Sequence, residues 1–191
     1  MELIFLLSVL VVILVIVLYA ISLYNSLVRG RNQTTEAWSD IETHLKRRYD
    51  LIPNLVETVK GYAKHESSTL EKVIQARSEA MRQTGGAEEN HSATENMIGQ
   101  TLKSLFALSE SYPDLKANQN FIELQREISN TEGKIQTSRS FYNSIVLSYN
   151  NLTETFPSLI IAGMFNFKKR SFFELDEEEK AAANKPPQVK F

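Results

Sequence analysis

The chain has 191 residues, no cysteine, and a formal net charge of −2 from 21 basic and 23 acidic side chains. That length suits a single domain behind any targeting segment. The missing cysteines exclude internal disulfides and thiolate metal sites, and the near-neutral balance argues against nucleic acid as a partner.

Leu3 to Leu23 form an uncharged run, interrupted by polar groups only at Ser8, Tyr19 and Ser22. About 20 apolar residues suffice to cross a bilayer as helix. Only Met1 and Glu2 precede the run, without the basic flank of a secretory signal, so residues 1–23 read as a retained anchor. Ala20-Ile21-Ser22 imitates a small-x-small cleavage site and is the alternative to be kept. Arg29 and Arg31 follow the run, a bias that puts the C-terminal part on the cytoplasmic side.

Helical spacing fills the rest. Leu27, Trp38, Ile41 and Leu45 mark a first segment continuous with the anchor. Asp50-Leu51-Ile52-Pro53 reads as an N-cap with proline in the first turn, which predicts that a second helix starts there. Its stripe is Leu51, Leu55, Val59, Tyr62, Leu70, Val73, Arg77 and Met81, and Thr84-Gly85-Gly86 ends it. A third helix carries Ile98, Leu102, Leu105 and Phe106 and stops before Tyr112-Pro113. The fourth holds a heptad seam through Phe121, Leu124, Ile128, Thr131, Ile135, Ser138, Tyr142, Ile145, Tyr149, Leu152 and Phe156. A helix of that length needs neighbours to cover its seam. The expected fold is all-α, an N-terminal transmembrane helix followed by an antiparallel four-helix bundle with long helices over residues 24–157. The lengths do not close in this reading, because the second and fourth helices exceed the first beyond the membrane.

Residues 158–191 differ in character. Leu159 to Phe167 is apolar but too short to span, Lys168-Lys169-Arg170 is basic, and Phe172-Phe173 follows. With helices alternating in direction, this segment returns to the lipid. Phe165, Phe167, Lys168, Lys169, Arg170, Phe172 and Phe173 are therefore candidate membrane-interface residues, with packing over the bundle end as the equal alternative. Beyond them, Glu174 to Glu179 is acidic and Pro186-Pro187 argues for an extended, docking-type tail.

Ala37-Trp38-Ser39, the stretch LKRRYDLIPNLVETVKGYAKHE from Leu45 to Glu66, and Tyr112-Pro113-Asp114-Leu115-Lys116-Ala117-Asn118 resemble the LemA family. So do Tyr142-Asn143 with Tyr149-Asn150, Phe156-Pro157, and the terminal Pro187-Gln188-Val189-Lys190-Phe191. The resemblance implies a single-pass bacterial membrane protein with a helical bundle. It brings no settled activity and no catalytic site.

Di-iron bundles need two Glu-x-x-His pairs, and only Glu88 to His91 has that spacing, beside Gly85-Gly86 in a loop. His44 and His65 read as surface or helix-end residues, and no nucleophile elbow or phosphate loop is present. No catalytic residue, metal or cofactor is expected. Arg47, Arg48, Asp50, Glu57, Glu132, Arg139, Asn143 and Asn150 form a candidate polar network or contact surface. An internal ion-pair network that fixes register is preferred over a recognition patch. The functional expectation is a non-enzymatic, membrane-anchored scaffold or adaptor at the bacterial inner membrane. Its expected partners are lipid around the anchor, further copies of itself, and an unidentified envelope protein. The alternatives are a membrane-shaping protein and, last, a metal-dependent enzyme.

Overall fold

The computed structural model describes residues 1–83 and 91–173, and every regular element among them is helical. In chain order these are α1 (Glu2–Tyr62), α2 (Ser67–Gln83), α3 (His91–Ser109), α4 (Pro113–Lys116), α5 (Gln119–Glu154) and α6 (Ser158–Met164). The described residues divide into two compact units: Met1–Ser39 with Ser140–Phe172, and Asp40–Arg139 with Phe173.

Helix α1 runs for 61 residues without interruption and corrects the expected break at Asp50. Asp50 lies inside the helix, exposed, and pairs with Lys46 one turn earlier at 2.8 Å. Pro53 is accommodated for a local reason. A proline inside a helix has no amide to give the carbonyl four residues back, which here belongs to Tyr49. Arg77 of α2 donates its Nε–H to that oxygen at 2.7 Å and replaces the missing bond. The real corner falls at residues 63–66. The Ala63 amide still bonds to Val59 at 2.8 Å, and the Glu66 carbonyl accepts the amides of Thr69 and Leu70 that open α2. This shift resolves the length mismatch: α1 continues about 58 Å past Leu23, against about 54 Å for the 36 residues of α5.

The stripe expected for a helix across 51–83 fails at two points. Tyr62, the last residue of α1, and Met81, beyond the corner that resets the helical phase, are exposed, whereas Leu55, Val59, Leu70 and Val73 are buried. The α5 seam is buried or half-buried at every position from Phe121 to Leu152, and Phe156, past the helix end, is exposed.

The Tyr112-Pro113 turn opens α4, with Pro113 in its first turn and Leu115 fully buried. Asn118 then starts α5. Its Oδ1 accepts the Phe121 amide at 3.0 Å as an N-cap, and its Nδ2 donates to the Tyr62 hydroxyl at 2.9 Å. The Tyr112 hydroxyl donates to Glu66 at 3.1 Å, and that hydrogen bond to a carboxylate raises the phenol pKa.

Within each unit α1 and α5 run in opposite directions. In the first, Gly30 faces Tyr149 and Trp38 meets Tyr142 edge-on at 5.4 Å. In the second, Arg48 reaches Glu132, and Tyr62 reaches Asn118. Glycine is needed at position 30: a Cβ there stands 3.0 Å from the Tyr149 ring.

Candidate functional site

Two arrangements stand out, one in each unit. In the second unit Arg48 is fully buried on the apolar stripe of α1, one turn after Leu45 and one before Ile52. Its Nη1 donates to Glu132 of α5 at 2.7 Å, and its Nη2 pairs with Glu95 of α3. Glu95 is 2% exposed and accepts a short hydrogen bond from the Tyr49 hydroxyl. Through the Arg77 bond to the Tyr49 carbonyl the cluster also reaches α2. Four helices thus meet at one buried polar knot. Burial pushes the Tyr49 phenol up to about 12, against the opposing pull of Arg48 and Arg139. A neutral, donating phenol is what the Glu95 carboxylate requires.

Of the other members of the predicted network, Arg47 and Glu57 stand apart from this knot. Arg47 pairs with Glu127 at 2.7 Å on the surface, and Glu57 lies exposed beside Lys60 at 3.7 Å. Arg139 stacks its guanidinium over the Phe173 ring at 4.3 Å. Asn143 is half-buried on α5. Glu95, Tyr49 and Arg77 were missed from sequence. The signal for Glu95 exists: stepping back three residues from Ile98 places it on the stripe of Leu102 and Leu105, opposite in charge to Arg48 on its own stripe.

In the first unit the recurring Tyr-Asn pairs of α5 hold the segment after α6. The Tyr149 hydroxyl donates to the Lys168 carbonyl at 3.0 Å, and the Tyr142 hydroxyl donates to the Ser171 carbonyl at 3.0 Å. Asn150 closes a two-way bond with the Arg170 backbone, donating from Nδ2 and accepting at Oδ1, both at 2.9 Å. Asn150 therefore belongs to this strap and not to the ion-pair knot. Burial raises the Tyr149 phenol pKa, which Arg170 and Arg31 partly oppose.

The strap begins at a tight turn. Asn166 adopts φ 55°, a left-handed conformation that asparagine tolerates better than most residues. Its amide bonds back to Gly163 at 3.4 Å, and the Phe167 amide bonds to Ala162 at 2.9 Å, a Schellman closure of α6. The turn sets both flanking rings on Tyr24 of α1. Phe165 meets it edge-on at 4.8 Å and Phe167 at 5.7 Å, and Arg31 lies over Phe167 at 5.4 Å. Lys168 and Lys169 are exposed, the latter paired with Glu154. Phe172 is exposed, whereas Phe173 is 3% exposed against Arg139 and so has no surface to offer lipid.

Among the described residues one helix, α1, is long and apolar enough to cross a membrane, and no group of three or more His, Asp or Glu gathers as metal ligands. Glu88 and the expected docking tail lie outside the described residues.

The chain is 28% identical over 156 residues to Protein LemA of Metamycoplasma hominis, covering 82% of this chain and 71% of that protein. It is 24% identical over 187 aligned residues to Magnetosome protein MamQ 2 of Paramagnetospirillum magneticum, covering 85% and 67%. Magnetosome protein MamQ of Magnetospirillum gryphiswaldense matches at 23% over 193 aligned residues, covering 87% and 70%. The family model for LemA matches residues 37–191, so the chain belongs to the LemA family.

Proposed function

We propose that this protein is a non-enzymatic, membrane-anchored scaffold or adaptor of the bacterial inner membrane. In this reading α1, α2 with α3, and α5 form an antiparallel four-helix bundle, self-associating and docking an envelope protein. The observation that carries it is α1 itself: one continuous helix contains both the apolar run and Arg48 of the buried knot. The buried charges support a structural role. Arg48 and Glu95 pair in the interior and half-exposed Glu132 takes a second bond from Arg48, an arrangement that fixes which helices meet and in what register.

Self-association draws support from Phe141 and Leu147 on α5 and Ile74 on α2, all about half exposed. Arg29 and Arg31, just past the span, favour a cytoplasmic bundle. The test is the absolute mass of the full-length protein in mild detergent by light scattering, with metal content assayed on the same sample. A defined assembly of several copies without stoichiometric metal is the expected result. A monomer removes self-association from the reading, and stoichiometric metal removes its non-enzymatic part.

A further inference from the structure

Helix α6 is built inside out. Its inward positions are small: Ser158 is 4% and Ala162 2% exposed. Three of its four large apolar side chains point away from the protein, with Leu159, Ile160 and Met164 exposed by 49%, 53% and 72% and only Ile161 half-buried. Phe156 before it and Phe165 after it are exposed by 80% and 56%. A surface helix in water shows the opposite pattern, apolar face inward. The inversion makes sense if the medium outside α6 is lipid.

The height of α6 agrees. The uncharged span Leu3 to Leu23 is about 31 Å long as helix, the thickness of a hydrocarbon core, so Tyr24 stands at its boundary. Phe165 and Phe167 rest on Tyr24. From the other side, Tyr149 packs on Gly30, about 9 Å above Tyr24, and the chain descends about 10 Å from Tyr149 to Phe156. Both routes bring α6 to the same level. Just above it lie Arg29, Arg31, Lys168 and Lys169, within the depth of a headgroup layer.

We propose that α6 and the Asn166 turn form an interfacial foot. Phe156, Leu159, Ile160, Met164 and Phe165 enter the boundary between headgroups and acyl chains, and the basic residues above them gather anionic phospholipid. The occupant of the exposed face is the bilayer continuous with the α1 span, not a second protein. This inference is independent of the scaffold reading, because a monomeric or an oligomeric protein can carry such a foot.

The chain has no cysteine, so single labels are clean. Full-length Ile160→Cys and Met164→Cys variants, and Gln136→Cys on an exposed position of α5 as control, are labelled with a polarity-sensitive fluorophore. They are then placed in nanodiscs of phosphatidylcholine with phosphatidylglycerol. The expected result at 160 and 164 is blue-shifted emission, strong quenching by lipid-borne doxyl groups, and iodide quenching several-fold below the control. Doxyl carried on phosphatidylglycerol should quench more than the same fraction carried on phosphatidylcholine, and Lys168→Gln with Lys169→Gln should reduce that difference. Iodide quenching equal to the control puts α6 in water and overturns the foot. Protection from both quenchers means that protein covers the face, and overturns it equally. Equal quenching from the two lipids overturns the selectivity for anionic lipid.

Discussion

Exchanging Pro53 and Arg77 separately and together tests the account of how α1 stays unbroken. In the wild type the Tyr49 carbonyl has lost its helical donor to Pro53 and takes Arg77 Nε–H at 2.7 Å instead. Tyr49 is 2% exposed, so its oxygen has little access to water. Arg77→Met keeps most of the apolar stem and removes the donor; a buried carbonyl left unpaired costs about 1–3 kcal/mol. Pro53→Ala restores the backbone amide and removes the steric clash of the ring, so it stabilises by up to about 3 kcal/mol, the usual cost of proline inside a helix. In the Pro53→Ala background Arg77→Met should then cost about 1 kcal/mol less than in the wild type, because Tyr49 again has a helical partner. The four proteins are unfolded by heat and by urea in mild detergent, followed by far-ultraviolet ellipticity. A change of 1 kcal/mol moves Tm by about 2–4 °C in a chain of this size. If the two substitutions add to within about 0.5 kcal/mol, Arg77 does not replace the missing bond and the account is refuted.

Further outcomes follow from the knot and the strap. Arg48→Met leaves Glu95 buried and uncompensated and should cost about 3–5 kcal/mol, whereas Arg48→Met with Glu95→Leu should recover most of that loss; urea midpoints distinguish the two. Because the folded Tyr49 phenol lies near 12 against 10 unfolded, its contribution is fully present below pH 10 and is lost as pH rises from about 10 to 12. Tyr49→Phe is less stable at neutral pH, and its stability should fall less steeply over that window, by roughly 3 kcal/mol in total, in parallel melts. Asn166→Ala keeps the Cβ but removes the short polar side chain that makes the left-handed conformation tolerable and should cost about 1 kcal/mol, while Asn166→Gly should cost little, as thermal midpoints can show. Gly30→Val drives a side chain into the Tyr149 ring and should cost about 1–3 kcal/mol, with faster proteolysis of the Lys168–Ser171 strap as a second readout.

Periodicity made the long seam of α5 legible, and an unbroken uncharged run did the same for the apolar start of α1, because each depends on one helix meeting a uniform surface. Pro53 misled for a physical reason. A proline normally reports on the local backbone alone, and here its cost is offset by a side chain 24 positions away, which local reading cannot see. The same distance hid the knot: Arg48 and Glu95 each look like one charge interrupting an apolar stripe, and only their union makes burial affordable. The strap was half legible. Tyr142 and Tyr149 were placed on the seam by their spacing, yet the seam accounts only for their rings. Their hydroxyls need acceptors once buried, and the carbonyls of Ser171 and Lys168 meet that need, so the tyrosines at once pack the helices and bind the returning chain. An apolar heptad position filled by tyrosine in place of leucine is thus a sign that something polar crosses the groove. In this protein that something is the segment which sets Phe165 and Phe167 against Tyr24, at the end of the apolar run of α1.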